Sequence, residues 1–328
     1  MPTIYDVAKR AKVSTYTVSS VLNQTAHVSA ELTERVRRAV DELNYTVNEL
    51  ARSLPKGKTK TVGMLIPDIG NPFYAKVVRG VEDRLRSDGY SLLLGNTYNK
   101  GDEQCRYLSL FGAKQADGLM VFPSAGDESE IRRLVRSRKP MVFVGRSPRS
   151  FEADCVSADN REGARMATAY LIDRGHRRIA IVSGERAVTA SSERVEGWRD
   201  ALQSHSIGLP DDYVGEGDWT ADSGFHLTIK LLELPEPPTA ILSANFLILT
   251  GVLRALKSRG LRHPQQVEVM SWDDSDWLDV FEPSVSTVVA SSYAMGEGAA
   301  DLLLERMRQP DREYQRIVIS TQLKIRTP

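Results

Sequence analysis

The chain has 328 residues, of which 41% are hydrophobic and 26% charged, a composition that is typical of a folded protein and excludes an intrinsically disordered one. It has equal numbers of basic and acidic residues, two cysteines, no run of ~18 apolar residues and no N-terminal secretory signal. We therefore expect a cytoplasmic protein of more than one domain, without a membrane span, a disulfide framework or a four-ligand zinc site.

The basic residues are concentrated at the start of the chain. Residues 1–60 hold 10 lysines and arginines against 6 acidic residues, a net charge of +4, which leaves 33 minus 37, or −4, for the other 268 residues. This asymmetry is typical of a nucleic-acid-binding headpiece joined to a larger body, although a solvated charged surface gives similar counts.

Three short helices are predicted in the headpiece, residues 1–46. Thr3 is the N-cap of the first helix, Ser14 caps a second helix from Thr15 to about Leu22, and Ser29 caps a third whose apolar residues repeat at helical spacing. The turn between the first two helices is so short that they must cross steeply. This arrangement is the helix-turn-helix plan, in which the second helix enters the DNA major groove.

Uncharged hydroxyl side chains are predicted to cover the outer face of the second helix. Such side chains approach base edges and phosphates without a large desolvation cost. We assign DNA contacts in the headpiece to Thr3, Ser14, Thr15, Tyr16, Thr17, Ser19, Ser20, Asn23 and His27. The alternative is a small three-helix bundle with a polar or protein-binding surface, but the spacing, the caps and the basic residues together favour DNA.

A short helix and a basic linker are predicted over residues 47–60. The helix has barely two turns, which is marginal in water without a partner. If it orders on DNA, it presents Asn48, Ala51 and Leu54 to the minor groove, where an inserted apolar side chain opens a base step and kinks the duplex. The alternative is an ordinary linker with Leu54 packed on the body, and the residues alone do not decide between the two.

Six motifs follow one another through the headpiece and the hinge: Thr3-Ile-Tyr-Asp-Val-Ala, Val13-Ser-Thr-Tyr-Thr-Val-Ser, Val21-Leu-Asn, Val28-Ser, Leu43-Asn-Tyr and Asn48-Glu-Leu-Ala-Arg-Ser-Leu54. In this order they resemble the lactose repressor (LacI) family of bacterial transcription regulators. The resemblance implies that Thr15, Tyr16 and Ser20 lie where the family reads bases, and that Leu54 lies where the hinge leucine inserts. Lys12 replaces a frequent glycine and Ser20 a frequent arginine, so we expect a different operator sequence.

From Thr61 onward, apolar strands alternate with amphipathic helices, which predicts an α/β body of two doubly wound, Rossmann-like lobes. Strands are predicted at 62–66, 90–95, 118–122, 141–145, 179–183, 239–244, 267–272 and 317–325, and helices at 73–87, 102–115, 164–175, 192–204 and 247–260. We expect a core of residues 61–328, with one lobe of about 61–158 and 290–317 and another of about 159–289 and 318–328. Ligand binding belongs in the cleft between the carboxyl ends of their strands.

The motifs of common enzyme classes are missing from the body. There is no G-x-G-x-x-G after the first strand, no phosphate-binding G-x-x-x-x-G-K-[ST] and no G-x-S-x-G. The five histidines are scattered with none in an i, i+4 pair, and Asp273-Asp274 has no third metal ligand nearby. We therefore predict a binding protein that is not an enzyme and uses neither a metal nor a cofactor.

Further motifs in the body, among them Asn71-Pro-Phe-Tyr, Asp159-Asn-Arg-Glu-Gly, Arg194-Val-Glu-Gly-Trp and Trp272-Asp-Asp, resemble the core of the same family and the periplasmic sugar-binding proteins. The resemblance implies an effector cleft lined by Phe73, Ser124, Arg146, Arg194, Trp219, Asn245 and Asp273. Arg194 and Asp273 can hold ligand hydroxyls from opposite sides, while the aromatic rings offer flat apolar faces. Without the resemblance, core aromatics and a surface ion pair are the simpler interpretation.

One departure from the family concerns the ligand. Phe246 stands where the family usually has an aspartate, so we include it in the cleft and expect that the missing carboxylate favours an anionic ligand. A sugar acid or a similar small anion is our first hypothesis, a neutral sugar the second and a purine the third.

The assembly and the mechanism follow from the DNA-binding prediction. One headpiece contacts few phosphates, so we expect a homodimer on a palindromic double-stranded operator, and no heptad tail that would join dimers into tetramers. Ligand binding would move the lobes and thereby form or melt the hinge helices, which makes the protein an allosteric repressor. The alternatives are a small-molecule-binding protein without a DNA role and a sugar-processing α/β enzyme.

Overall fold

The computed structural model describes residues 2–23, 26–45, 59–126, 128–148, 151–208 and 210–326. The chain divides into two units, Met1–Thr59 and Lys60–Pro328. The hinge positions Asn48, Ala51 and Leu54 lie outside the described residues, so the hinge helix stays a prediction. Among the helices that are described, none combines the length and the apolar run that a membrane crossing needs.

The first unit contains the three predicted helices, α1 (Ile4–Ala11), α2 (Thr15–Asn23) and α3 (Ala30–Glu42). A capping box starts α1, because the amide of Asp6 donates to the Thr3 hydroxyl and the amide of Thr3 donates to the Asp6 carboxylate. The three helices meet on a small apolar core around the fully buried Val7, Val18 and Val36. The helix-turn-helix prediction is confirmed.

The turn between α1 and α2 depends on Lys12. Its φ of 53° is left-handed, a conformation in which a side chain costs energy and glycine does not. Arg35 of α3 donates to the carbonyl oxygens of Ala11, at 2.6 Å, and Lys12, at 3.1 Å. The lysine is therefore accommodated at this position by a turn that the third helix holds in place.

The second unit is built on two six-stranded sheets. The first consists of β1 (Thr61–Ile66), β2 (Ser91–Asn96), β3 (Gly118–Val121), β4 (Met141–Val144), β5 (Asp154–Ala158) and β11 (Arg316–Ile319), in the order β11-β5-β4-β3-β1-β2. The second consists of β6 (Ile179–Ser183), β7 (Val214–Glu216), β8 (Ala240–Ser243), β9 (Glu268–Trp272), β10 (Ser286–Ala290) and β12 (Thr321–Lys324), in the order β12-β10-β9-β8-β6-β7. All pairs are parallel except β10 with β12.

Helices cover both faces of each sheet, so the central strands are buried throughout their length. The helices are α4 (Pro72–Ser87), α5 (Gly101–Ala113), α6 (Ser129–Arg136), α7 (Asn160–Asp173), α8 (Thr189–Ser204), α9 (Ala221–Leu232), α10 (Phe246–Ser258) and α11 (Ser292–Arg308). The predicted α/β fold with two doubly wound lobes is confirmed.

The chain passes between the two sheets three times, at residues 159, 291 and 320. We call residues 61–158 and 292–319 the first lobe and residues 160–290 and 321–326 the second lobe. The single strand predicted over 317–325 is wrong, because β11 pairs with β5 in the first lobe whereas β12 pairs with β10 in the second. A continuous apolar pattern cannot show that its two halves hydrogen-bond to different sheets.

Helices α9 and α10 pack with their backbones in contact at Gly251. A Cβ added there would collide with the carbonyl oxygen of Ala221 and would lie 2.6 Å from the amide nitrogen of Phe225. Since both atoms belong to the backbone of α9, neither can give way by changing a rotamer. This glycine is required by the close approach of the two helices.

We expect Gly251→Ala to lower the free energy of unfolding by about 1–3 kcal/mol, because the two helices must move apart. Gly112→Ala is the matched control, since Gly112 lies in α5 with no neighbouring atom within 4 Å of the added Cβ. The control should raise stability by up to about 1 kcal/mol through helix propensity. Urea unfolding of the full-length variants measures both changes, and equal stability of the two would contradict the close packing.

Candidate functional site

The outer face of α2 carries side chains that were predicted to contact DNA. Tyr16 is 73% exposed, whereas Thr15, Thr17 and Ser19 are partly buried. The Ser14 hydroxyl accepts a hydrogen bond from the Thr17 amide at 3.1 Å and caps the helix. The Ser19 hydroxyl accepts one from the Asn23 side-chain amide at 3.0 Å. Tyr16 is therefore the most accessible of these side chains on α2.

The prediction that Ser20 lies on this exposed face is wrong, because Ser20 is only 2% exposed. Helical spacing puts Ser20 on the same side as Tyr16, four residues earlier. Spacing gives the direction of a side chain from its own helix, but it does not show how much of that side chain the folded unit leaves exposed. His27 is exposed in the connection to α3, and Tyr5 of α1 is an exposed aromatic residue that the sequence did not single out.

A small cavity lies between the two lobes of the second unit, at the carboxyl ends of the strands. Six of the eight predicted effector residues line it: Phe73, Arg146, Arg194, Trp219, Asn245 and Asp273. Its free volume is about 30 Å³. This volume admits a water molecule. A ligand the size of a sugar would therefore require the lobes to move apart.

Arg194 is held rigidly in the wall of the cavity. Its Nε donates to Asn160 Oδ1 at 3.0 Å, its Nη1 donates to the Ala244 carbonyl, and the guanidinium lies 3.9 Å from the centre of the Trp272 ring. Burial lowers the pKa of Arg194 to about 10, so the side chain is still positively charged at neutral pH. The cavity therefore has a fixed positive charge.

Asp273 faces the same cavity from the end of β9. Its backbone has a left-handed φ of 69°, and burial raises the pKa of its carboxyl to about 6 although the Arg194 charge acts in the opposite direction. The residue as a whole is partly buried. The carboxylate of the neighbouring Asp274 is bound by other residues, because Lys324, Arg326 and Thr287 all donate hydrogen bonds to it. The two acids therefore do not act as a pair.

Trp219 forms the apolar wall of the second lobe. Its indole lies flat on Gly184, where an added Cβ would collide with the ring, and Asn245 Nδ2 donates to the Trp219 carbonyl at 3.3 Å. The indole N–H is buried and has no hydrogen-bond partner in the part of the chain that is described. Because an unpaired buried donor is costly, it is a natural partner for a ligand oxygen.

Arg146 is the second cationic group of the cavity and belongs to the first lobe. It is buried, and its Nη1 donates to Asn99 Oδ1 at 2.6 Å and to the Pro123 carbonyl at 3.1 Å. Its guanidinium lies 5.1 Å from the centre of the Trp219 ring, within the range of a cation–π contact. The two lobes therefore meet at Arg146 and Trp219.

Two predicted effector residues do not line this cavity. Phe246 is the first residue of α10 and lies in a groove on the other side of that helix, since one step along a helix turns a side chain by about 100° from the capping Asn245. Ser124 lines a neighbouring space of about 100 Å³, where its hydroxyl donates to Thr97 and its amide to Gln104. The assignment of both residues to the cavity is corrected accordingly.

The sequence did not point to Tyr74, Asn160 and Trp272, which are three of the nine further residues that line the cavity. Each belongs to a motif that carried the family resemblance, so the signal was present. Burial raises the pKa of the Tyr74 hydroxyl, and Asn160 positions Arg194. The motifs identified the correct segments, but only the packing shows which side chain of each motif faces the cavity.

Two family models match the chain. The model described as bacterial regulatory proteins of the lacI family matches residues 3–48, and the model described as periplasmic binding proteins and sugar binding domain of LacI family matches residues 59–327. Together they cover both structural units.

Individual relatives are similar over nearly the whole chain. The ribose operon repressor of Escherichia coli (strain K12) is 37% identical and covers 98% of this chain and 97% of its own length. The transcriptional repressor PurR of Vibrio atlanticus (strain LGP32) is 36% identical, with coverages of 95% and 94%. The solved structure of the Lac repressor dimer bound to operator and the anti-inducer ONPF superimposes with a TM-score of 0.84 at 26% identity, with coverages of 98% and 97%.

Proposed function

Because the chain belongs to the LacI family of bacterial regulatory proteins, we propose that it binds a palindromic operator as a homodimer under the control of a sugar acid or similar small anion. It is a DNA-binding transcriptional repressor with a sugar-binding domain, and not an enzyme. The operator, the dimer and the identity of the ligand are the parts that we propose.

The helix-turn-helix unit supports the operator part of the proposal. Its α2 presents Tyr16 on the surface beside partly buried hydroxyl side chains, and Arg35 holds the turn before it. Two such units related by a two-fold axis bind two half-sites, which gives a palindrome. The Lac repressor was solved as a dimer on its operator, and we extend that assembly to this chain.

The charge of the cavity carries the ligand part of the proposal. Arg146 and Arg194 are both buried in its walls, and Asp273, the acid among the described residues that line the cavity, has a pKa raised to about 6. At neutral pH Asp273 is mostly ionised, so an anionic group is attracted to two arginines and repelled by one carboxylate, and below about pH 6 that repulsion weakens. Phe246 lies outside the cavity and does not contribute to its charge.

Two other ligand classes remain as candidates. A neutral sugar is favoured by the similarity to the ribose operon repressor, and a purine by the similarity to PurR. A neutral sugar, a purine and a sugar acid each have an apolar face, so all three would pack on the rings of Phe73 and Trp219. The arginine pair is the feature that favours the acid over the other two.

Selection of bound fragments from random duplex DNA tests the operator part. We expect a palindromic consensus that the full-length protein prefers over unselected DNA by about 1,000-fold or more at physiological salt. Calorimetry with D-gluconate, D-ribose and guanine tests the ligand part, and D-gluconate is expected to bind most tightly. A protein without sequence preference would refute the first part, and binding of D-ribose or guanine alone would refute the second.

A further inference from the structure

Asn99 bonds to both lobes at the edge of the cavity. Its Oδ1 accepts a hydrogen bond from Arg146 Nη1 at 2.6 Å, and its Nδ2 donates to Glu185 Oε2 at 3.1 Å. Asn99 follows β2 and belongs to the first lobe with Arg146, whereas Glu185 follows β6 in the second lobe. One side-chain amide therefore joins a cationic wall residue of the cavity to an acid on the opposite side of the cleft.

The backbone under Asn99 is a tight turn. Tyr98 and Asn99 have φ values of 51° and 57°, and the amide of Lys100 donates to the carbonyl of Thr97 at 2.9 Å, which are the features of a type I′ turn. Asparagine adopts this left-handed conformation more readily than most residues. Thr97 is fully buried, so the turn is anchored to the first lobe.

The other end of the contact is also close to the cavity wall. Glu185 directly follows Gly184, on which the Trp219 indole packs, and Trp219 in turn faces the Arg146 guanidinium. A second cross-lobe hydrogen bond runs beside it, from the Ser147 amide to the Thr189 hydroxyl at 3.0 Å. A molecule in the cavity that contacts Arg146 therefore contacts the hydrogen-bond partner of Asn99. If it also contacts Trp219, it contacts the ring that packs beside Glu185.

We propose that Asn99 is a positioning residue that couples Arg146 to the closure of the two lobes through the Asn99–Glu185 contact. Closure of the lobes orients Arg146 towards the cavity and so strengthens the binding of a ligand that contacts Arg146. By linkage, bound ligand stabilises the closed lobes by the same free energy by which closure strengthens ligand binding. This inference rests on the proposed function only in taking the cavity to be the ligand site. Its structural part concerns the protein without ligand.

The two left-handed positions of the turn provide a matched set of variants. Asn99→Gly keeps the turn and removes the amide, whereas Tyr98→Gly makes the same backbone change one residue earlier and leaves the amide in place. Asn99→Asp keeps an acceptor for Arg146 but replaces the donor to Glu185 by a carboxylate that repels it. Any effect of the turn itself should appear in both glycine variants, and an effect of the contact only in the two Asn99 variants.

Hydrogen–deuterium exchange of the unliganded full-length protein measures the contact. In Asn99→Gly and Asn99→Asp we expect the amides of residues 184–190, in the opposite lobe, to exchange about 3-fold to 10-fold faster, as the loss of one hydrogen bond implies. In Tyr98→Gly these amides should exchange as in the wild type. A purely local role of Asn99 would change residues 96–101 alone. Unchanged exchange of residues 184–190 in Asn99→Gly, or an equal change in Tyr98→Gly, would overturn the proposal.

Addition of D-gluconate tests the coupling to the ligand site. We expect saturating D-gluconate to slow the exchange of residues 184–190 in the wild type and in Tyr98→Gly, and to have a markedly smaller effect in Asn99→Gly. Equal slowing in all three would refute the coupling. Failure of D-gluconate to bind the wild type would refute the sugar-acid proposal instead, while the comparison without ligand would still decide the role of Asn99.

Discussion

Asp154→Asn is expected to lower the free energy of unfolding by about 3–5 kcal/mol, because it leaves a buried arginine without its counter-charge. Asp154 begins β5 and is completely buried. Arg306 of α11, also buried, donates to it through Nε at 2.7 Å and Nη2 at 3.2 Å, and the Gln315 amide donates to it at 2.9 Å. The substitution changes the charge and preserves the shape.

The position of Arg306 explains why the effect should be large. The same guanidinium donates to the carbonyl oxygens of Pro310, Arg312 and Glu313, so it holds the connection from α11 to the edge strand β11. Loss of the carboxylate therefore loosens both the core of the first lobe and the attachment of its last strand.

Urea unfolding of the full-length variant measures this change. Asp311→Asn is the control, because Asp311 pairs with Arg138 at 2.7 Å on the surface, where both side chains are more than three-quarters exposed. An exposed pair contributes about 1 kcal/mol or less. If Asp154→Asn were no more destabilising than this control, the buried pair would not have the role assigned to it.

Asp273→Asn is expected to stabilise the protein at neutral pH and to remove part of its pH dependence. The pKa of Asp273 is about 6 in the folded state against 3.8 for an ordinary aspartate, so the folded protein binds this proton more tightly than the unfolded chain. Stability from this group is therefore present in acid and is lost as the pH rises from about 4 through 6. Above that range the folded state contains a buried carboxylate.

A pKa of about 6 in place of 3.8 corresponds to at most about 3 kcal/mol of stability, and we expect about 1–2 kcal/mol because Asp273 is not fully buried. Urea unfolding at pH 4.5 and pH 7.5 tests this. The free energy of unfolding of Asp273→Asn should exceed that of the wild type by more at pH 7.5 than at pH 4.5. Burial also raises the pKa of Glu185, but that group is present in both proteins and cancels in the comparison. If the difference in the free energy of unfolding between the two proteins did not change with pH, the raised pKa of Asp273 would be contradicted.

The same titration distinguishes the candidate ligands. Binding of D-gluconate by the wild type should weaken as the pH rises through 6, because ionised Asp273 repels an anion, and Asp273→Asn should abolish that weakening. D-Ribose should behave in the opposite way, since an ionised carboxylate is the stronger hydrogen-bond acceptor for a hydroxyl. Calorimetry at pH 5.5 and 7.5 separates the two ligand classes by the sign of the change.

The sequence by itself determined the local structure and the order of the elements. The caps at Thr3, Ser14 and Ser29 and the alternation of strands and helices depend on residues close together in the chain, and the predicted caps and most of the predicted elements agree with the structure. The strands β5, β7 and β10 and the helices α6, α9 and α11 were not predicted. The family resemblance also identified six residues that meet in one cavity, which lies at the carboxyl ends of the parallel strands.

The tertiary structure alone decided the features that depend on residues far apart. The separation of β11 from β12, the burial of Ser20 and the position of Phe246 outside the cavity follow from packing that no local pattern contains. The contact of Asn99 with Glu185 is the clearest case, since 86 residues separate them and neither belongs to a motif. Local periodicity determines the direction of a side chain, but only the folded chain determines what it meets.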